Sequence, residues 1–135
     1  MRFLDSNVLI HAAVEQDPRQ HARSVALIDR LRRAEERVHI TDLVMIEVAV
    51  NLRFERAGRL SKQEVVDFLL PLTQLDSVEV ANKAAWPRAF DLYVAQNLDL
   101  SDAHIAALME FSGESELYSF DRDFDRIPGI TRMEP

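Results

Sequence analysis

The chain contains no cysteine, so neither a disulfide framework nor thiolate-bound zinc is available to it. Lysine is almost as scarce, with Lys62 and Lys83 the only two among 16 basic residues. Against 23 acids those 16 bases leave a net charge of −7. That balance argues against a protein that grips nucleic acid through bulk positive potential. It does not exclude an enzyme whose acids are gathered to hold a metal. The four histidines, His11, His21, His39 and His104, show no ligand spacing and read as surface or half-buried side chains. No apolar run approaches the ~20 residues of a membrane span. The N-terminus shows no charged region followed by a signal-peptide core. The expectation is a cytoplasmic protein without membrane contact. There are no repeats, low-complexity tracts or linkers, and 135 residues at 47% hydrophobic suit one domain, residues 1–135, around a single core.

What is present alternates. Arg2 to Asp5 reads as a strand, and Ser6 or Asn7 can cap the helix carrying Val8, Leu9, Ala12 and Ala13. Gln16-Asp17-Pro18 interrupts the chain. A second helix is predicted from about Arg19 to Glu36, with Ala22, Val25, Ala26, Ile28 and Leu31 at helical spacing. Val38-His39-Ile40 is β-branched and short, a second strand. Thr41 then caps a helix running to about Ala57, with Gly58 as its end. Ser61 caps another, stopped near Pro71. Ser77–Val80 reads as an edge strand. Asn82 to about Gln96 is helical, with Pro87 in its first turns, and Ser101 caps a helix from Asp102 to about Phe111. Glu116–Phe120 is a strand, Asp121–Ile127 a turn, and Ile130–Met133 a last edge strand. Strands alternating with helices predict an α/β/α sandwich with a mostly parallel central sheet flanked by helices.

In an open parallel sheet, ligands bind at the carboxyl ends of the strands. Asp5 and Asp121 each follow a strand. Asp102 opens a helix, and helix starts lie near that same edge. Glu47 sits in Asp42–Leu52, which is apolar on nearly every side, so its helix is expected to be largely buried. A glutamate sharing a face with Val44, Val48 and Asn51 would lose several kcal/mol of hydration unless paired or bound to a cation. Asp123 and Asp125 follow close behind Asp121. Singly, each acid has an ordinary explanation: Asp42 and Asp102 suit a helix dipole, and Asp121, Asp123 and Asp125 suit a polar turn. Four at one edge would repel one another strongly unless cations compensated. All-oxygen ligands favour a hard ion such as Mg2+ or Mn2+.

Four motifs in order resemble the PIN-domain proteins, most closely the VapC-type toxins of bacterial toxin–antitoxin pairs. They are Phe-Leu-Asp-Ser-Asn at Phe3–Asn7, Ile-Glu-Val at Ile46–Val48, Leu-Ser-Asp-Ala at Leu100–Ala103, and Tyr-Ser-Phe-Asp-Arg-Asp-Phe at Tyr118–Phe124. The resemblance covers essentially the whole chain. It implies a metal-dependent endoribonuclease with Asp5, Glu47, Asp102 and Asp121 as its acidic quartet. Asp123 is implied as an outer ligand, with Asn7 and Ser119 as supporting residues. It also implies a homodimer, a cognate antitoxin protein that blocks the site, and RNA as substrate, usually transfer RNA or a ribosomal RNA loop.

Arg53, Arg56, Arg59, Arg88, Arg122 and Arg126 are candidates for phosphate contact. Trp86, Phe90 and Tyr93 can stack on bases, though packing explains them more simply. Leu69, Leu70 and Leu72, with apolar residues of the first two helices, are candidates for an antitoxin groove. Two other classes compete. A non-catalytic PIN-like binding module is disfavoured by four intact acids. A metal-dependent phosphatase or DNA nuclease remains, although the lack of Asp-x-Asp after the first strand argues against the haloacid-dehalogenase type.

Overall fold

A computed structural model describes residues 1–54 and 59–135, which divide into two compact units, Met1–Lys83 and Ala84–Pro135. The expected helix end at Ala57 and Gly58, and the candidate Arg56, lie outside the described residues.

The first unit holds β1 (Arg2–Phe3), α1 (Ser6–Ala13), α2 (Pro18–Arg32), β2 (Val38–Ile40), α3 (Asp42–Phe54), α4 (Lys62–Thr73) and β3 (Val78–Val80). Its three strands pair in parallel in the order β1-β2-β3, with Phe3 beside His39 and His39 beside Glu79. Alternation along the strands sends Val38, Ile40, Val78 and Val80 into the core. The other face carries Phe3, His39 and Glu79, with the Phe3 and His39 rings stacked 4.9 Å apart. Helical faces close the core through Leu9, Ile28, Leu31, Met45, Val48, Leu52, Val65, Leu69 and Leu72. Leu69 and Leu72 are therefore core residues and do not line a groove.

The helix ends follow local chemistry. Asp17 caps α2 by accepting from the amides of Arg19 and Gln20, and Pro18 occupies the first turn, where its missing N–H is harmless. The helix stops at Arg32, short of the expected Glu36. Ala34 adopts a left-handed φ of 56°, and the amides of Ala34 and Glu35 donate to the carbonyls of Leu31 and Arg30. The buried positions of α2 are Ser24, Ile28 and Leu31; Ala22 and Ala26 are exposed. Thr41 Oγ1 accepts from the Val44 amide, as its place before α3 predicts. Ser61 and Glu64 form a complete capping box at α4. Pro71 lies inside α4 and does not stop it; the helix runs on to Thr73.

The second unit holds α5 (Trp86–Ala95), α6 (Leu100–Ser112), β4 (Glu116–Tyr118) and β5 (Thr131–Met133), with a 3-10 turn over Arg122–Arg126 between the last two strands. A one-turn 3-10 segment, Lys83–Ala85, leads into α5 and leaves Pro87 in its first turn. β4 and β5 pair in parallel, Leu117 beside Arg132. The helix α6 begins at Leu100, with Asp99 in the cap position, so Ser101 lies inside the first turn and does not cap it. Gly113 ends α6 at a φ of 75°, a conformation other residues adopt at a cost. Arg88 ties α5 to α6 through two bonds to Glu110, 2.8 and 3.0 Å. Trp86, Phe90 and Tyr93 are buried, so their role is packing. His104 is buried as well, against expectation: its ring stacks on Trp86 at 4.4 Å, which supplies a flat apolar partner.

The class is the expected one: helices flanking parallel strands.

Candidate functional site

Asp5 stands where β1 gives way to α1. The Leu4 amide donates to the His39 carbonyl at 2.9 Å, which completes the strand's last ladder bond. Asp5 then takes the cap position of α1 with extended backbone, yet its side chain makes no capping bond. Its carboxylate is thus exposed and not consumed by the helix. Ser6 is buried, and Asn7 is exposed and lines a cleft between α1 and α2 with Val8 and His11.

Glu47 corrects an expectation. The buried stripe of α3 is Met45, Val48, Ala49 and Leu52. Glu47 falls on the opposite stripe with Leu43, Val50 and Phe54, all exposed. It therefore suffers no loss of hydration from its own helix.

In the second unit, Asp102 feels the charges of three other acids. Asp102 is half-buried in the first turn of α6. Burial, and then the charges of Asp121, Asp99 and Asp123, hold its carboxyl above the ordinary aspartate range. Asp121 follows β4 through a short hydrogen-bonded relay. Its amide donates to Ser119 Oγ at 2.9 Å, and its Oδ1 accepts from the Asp123 amide at 2.9 Å. Asp123 itself is paired with Arg126 at 2.9 Å, and the other arm of Arg126 donates to the Gln96 carbonyl ahead of α6. Asp125 is paired with Arg132 at 3.0 Å.

An acid whose folded-state pKa is raised binds its proton more tightly when folded. It therefore disfavours folding once pH rises past the unfolded value and has no effect below it. Asp102→Asn is accordingly expected to raise the thermal midpoint of the metal-free protein at neutral pH. The gain is expected to vanish below about pH 3.8, the ordinary aspartate value. Calorimetry at the two pH values checks this; an equal shift at both would assign the effect to packing.

The expected quartet thus divides evenly, Asp5 and Glu47 in the first unit and Asp102 and Asp121 in the second. Among the described residues, no three histidines or acids stand in a group that can hold a metal ion. Of the candidate phosphate-binding arginines, Arg88 and Arg126 are committed to carboxylates, and Arg53 donates to the Leu60 carbonyl. Arg59 and Arg122 are exposed. Sequence reasoning missed Asp99, Arg126 in its pairing role, and Arg132. The Asp99-x-x-Asp102 spacing was a usable signal, since a cap residue lies beside the third residue of its helix. Nothing local marked Arg132.

Parallel strands, acids at strand and helix ends, and the turn at Asp121 define a class. The PIN-domain family model matches residues 2–130, and the chain belongs to that family. At the level of the family it is a nuclease. A solved structure, the toxin VapC20 of Mycobacterium tuberculosis, described as cleaving the sarcin-ricin loop, is similar at 21% identity, with 100% of both chains covered and a TM-score of 0.41. No curated protein sequence matches the chain. No helix among the described residues is long and apolar enough to cross a membrane.

Proposed function

We propose that this chain is a metal-dependent endoribonuclease and the toxin of a toxin–antitoxin pair, with transfer RNA or a ribosomal RNA loop as its substrate. The observation that carries the reading is the setting of Asp102. Its carboxyl is half-buried and held above its ordinary range by burial and by the charges of Asp121, Asp99 and Asp123, a cost for a protein with no use for a cation. Residues 1–135 are read as one PIN domain, since the family match runs through both units.

The chemistry of the donor set fits Mg2+ or Mn2+: carboxylate oxygens alone, with neither thiolate nor a histidine pair. Asp5, Glu47, Asp102 and Asp121 would hold the ion. Asp123, already bound to Arg126, would act from outside the direct shell. When bound, the ion supplies an acidified water and neutralises charge on the phosphorane-like transition state. The chain's own part is to present these oxygens. Asp121 does so with one oxygen fixed by the Asp123 amide, and Asp5 with a carboxylate that its helix leaves unused. Ser119 and Asn7 would support them, Ser119 through its bond to the Asp121 amide.

A homodimer in the cytoplasm and a protein antitoxin belong to the same reading. The cleft of about 530 Å³ between α1 and α2 is the candidate antitoxin surface. Its lining of Val8, Leu27 and Arg23 suits an amphipathic segment with an acidic edge. The test is incubation of total RNA with Mg2+ or with chelator, followed by sequencing of fragment ends. Discrete metal-dependent cleavage is expected, together with growth arrest when the chain is expressed alone. Intact RNA at every metal concentration would favour a non-catalytic binding module.

A further inference from the structure

Three acids follow β4 at alternate positions, Asp121, Asp123 and Asp125, and the structure treats them differently. We propose that Arg132 is a positioning residue that fixes the turn bearing Asp121 and leaves that carboxylate alone available to a ligand. The proposal rests on the metal-dependent reading above.

Arg132 lies on β5, and its side chain is 12% exposed although most of its partners are surface groups. Its guanidinium forks onto Asp125, Nε to Oδ1 at 3.0 Å and Nη2 to Oδ2 at 3.3 Å. Its Nη1 donates to the Ser119 carbonyl at 3.0 Å and to Glu134 Oε1 at 3.1 Å. Ser119 precedes Asp121 and Asp125 follows it, so one planar group holds the chain on both sides of Asp121. Between them run the two bonds already described, Asp121 amide to Ser119 hydroxyl and Asp123 amide to Asp121 carboxylate. The planar fork matters here, because a lysine has charge but no paired donors at fixed angles.

Charge is sorted by the same contacts. Asp125 is held by Arg132 and Asp123 by Arg126. Asp121 keeps an oxygen beyond the one its own turn uses. Asp125 and Glu134 are themselves about half exposed, and ion pairs to exposed carboxylates contribute little to stability, so the clamp is expected to act on geometry more than on folding.

The experiment uses the full chain and five variants, Arg132→Gln, Arg132→Lys, Asp125→Asn, Asp121→Asn and the double variant Arg132→Gln/Asp125→Asn. Free Mn2+ is titrated by electron paramagnetic resonance. Amide exchange over residues 119–125 is followed in the metal-free protein. Loss of a group that orients a metal ligand typically costs about 10- to 100-fold in metal affinity. A weakening of that size is expected for Arg132→Gln and Arg132→Lys, with faster exchange confined to the Asp121 turn. Asp125→Asn is expected to reproduce it and to add nothing when combined with Arg132→Gln. It also keeps the test usable should Arg132→Gln fail to fold. Wild-type Mn2+ affinity and exchange in a folded Arg132→Gln, while Asp121→Asn loses the metal, would overturn the role of Arg132 and leave the nuclease reading standing. Exchange accelerated evenly along the chain would reduce Arg132 to a stability residue and overturn it equally. Wild-type Mn2+ affinity in Asp121→Asn would instead remove the metal reading and this proposal with it.

Discussion

Asp102→Asn is expected to lower metal-dependent RNA cleavage by about 100- to 1000-fold while leaving the fold intact. A metal ligand contributes several kcal/mol of transition-state stabilisation, and each ~1.4 kcal/mol is worth a factor of ten. The substitution keeps the shape of the side chain and removes its charge. It is also expected to stabilise the metal-free protein, because the charged Asp102 is opposed by burial and by Asp121, Asp99 and Asp123. Activity lost with stability gained is the pattern of a residue kept for function. Asp5→Asn is expected to give a loss of similar size. The double variant is expected to be little worse than either single one, since groups that act as a unit are strongly non-additive. Single-turnover cleavage rates and unfolding midpoints for the three variants check this. Wild-type cleavage by Asp5→Asn would remove Asp5 from the site.

Trp86→Ala is expected to have the largest effect on stability. Trp86 is fully buried, lies against the His104 ring at 4.4 Å with the planes 16° apart, and meets Phe90 at 5.5 Å. Truncating a buried tryptophan costs about 3–5 kcal/mol, a large share of the roughly 5–15 kcal/mol that holds a domain together. A fall in the thermal midpoint on the order of 10–20 °C follows for a chain of this size. His104→Ala is expected to cost less, because it removes one face of the stack and leaves the indole packed on Phe90. Calorimetry measures both. Were Trp86 a platform for RNA bases, its loss would weaken RNA binding and spare the midpoint, and that result would contradict the packing role.

Most element types were legible because short-range chemistry decides them. Thr41 and Ser61 each precede a helix with a free amide to satisfy, and each satisfies it. Val38-His39-Ile40 has the β-branched pattern of a strand, and it lies at the centre of its sheet. The errors came where tertiary packing or an unsignalled backbone turn decides. Nothing in Arg33-Ala34-Glu35 marks a helix end, since the left-handed residue there is an alanine and not a glycine. In α3 both faces are apolar, so periodicity could not tell the buried stripe through Met45 and Leu52 from the exposed one through Leu43, Val50 and Phe54. Glu47 went to the wrong stripe for that reason. At the candidate site, the acids could be named from strand and helix ends. The arginines that sort them could not, because Arg132 reaches Ser119 and Asp125 only once β5 lies beside β4.

The proposed function requires Asp5, Glu47, Asp102 and Asp121 to serve one divalent ion, and a crystal of the chain grown with Mn2+ tests it most directly. Anomalous scattering is predicted to mark an ion with oxygens of Asp5, Glu47, Asp102 and Asp121 around it. Manganese bound by other residues, or no ion at any of those four carboxylates, would contradict the account.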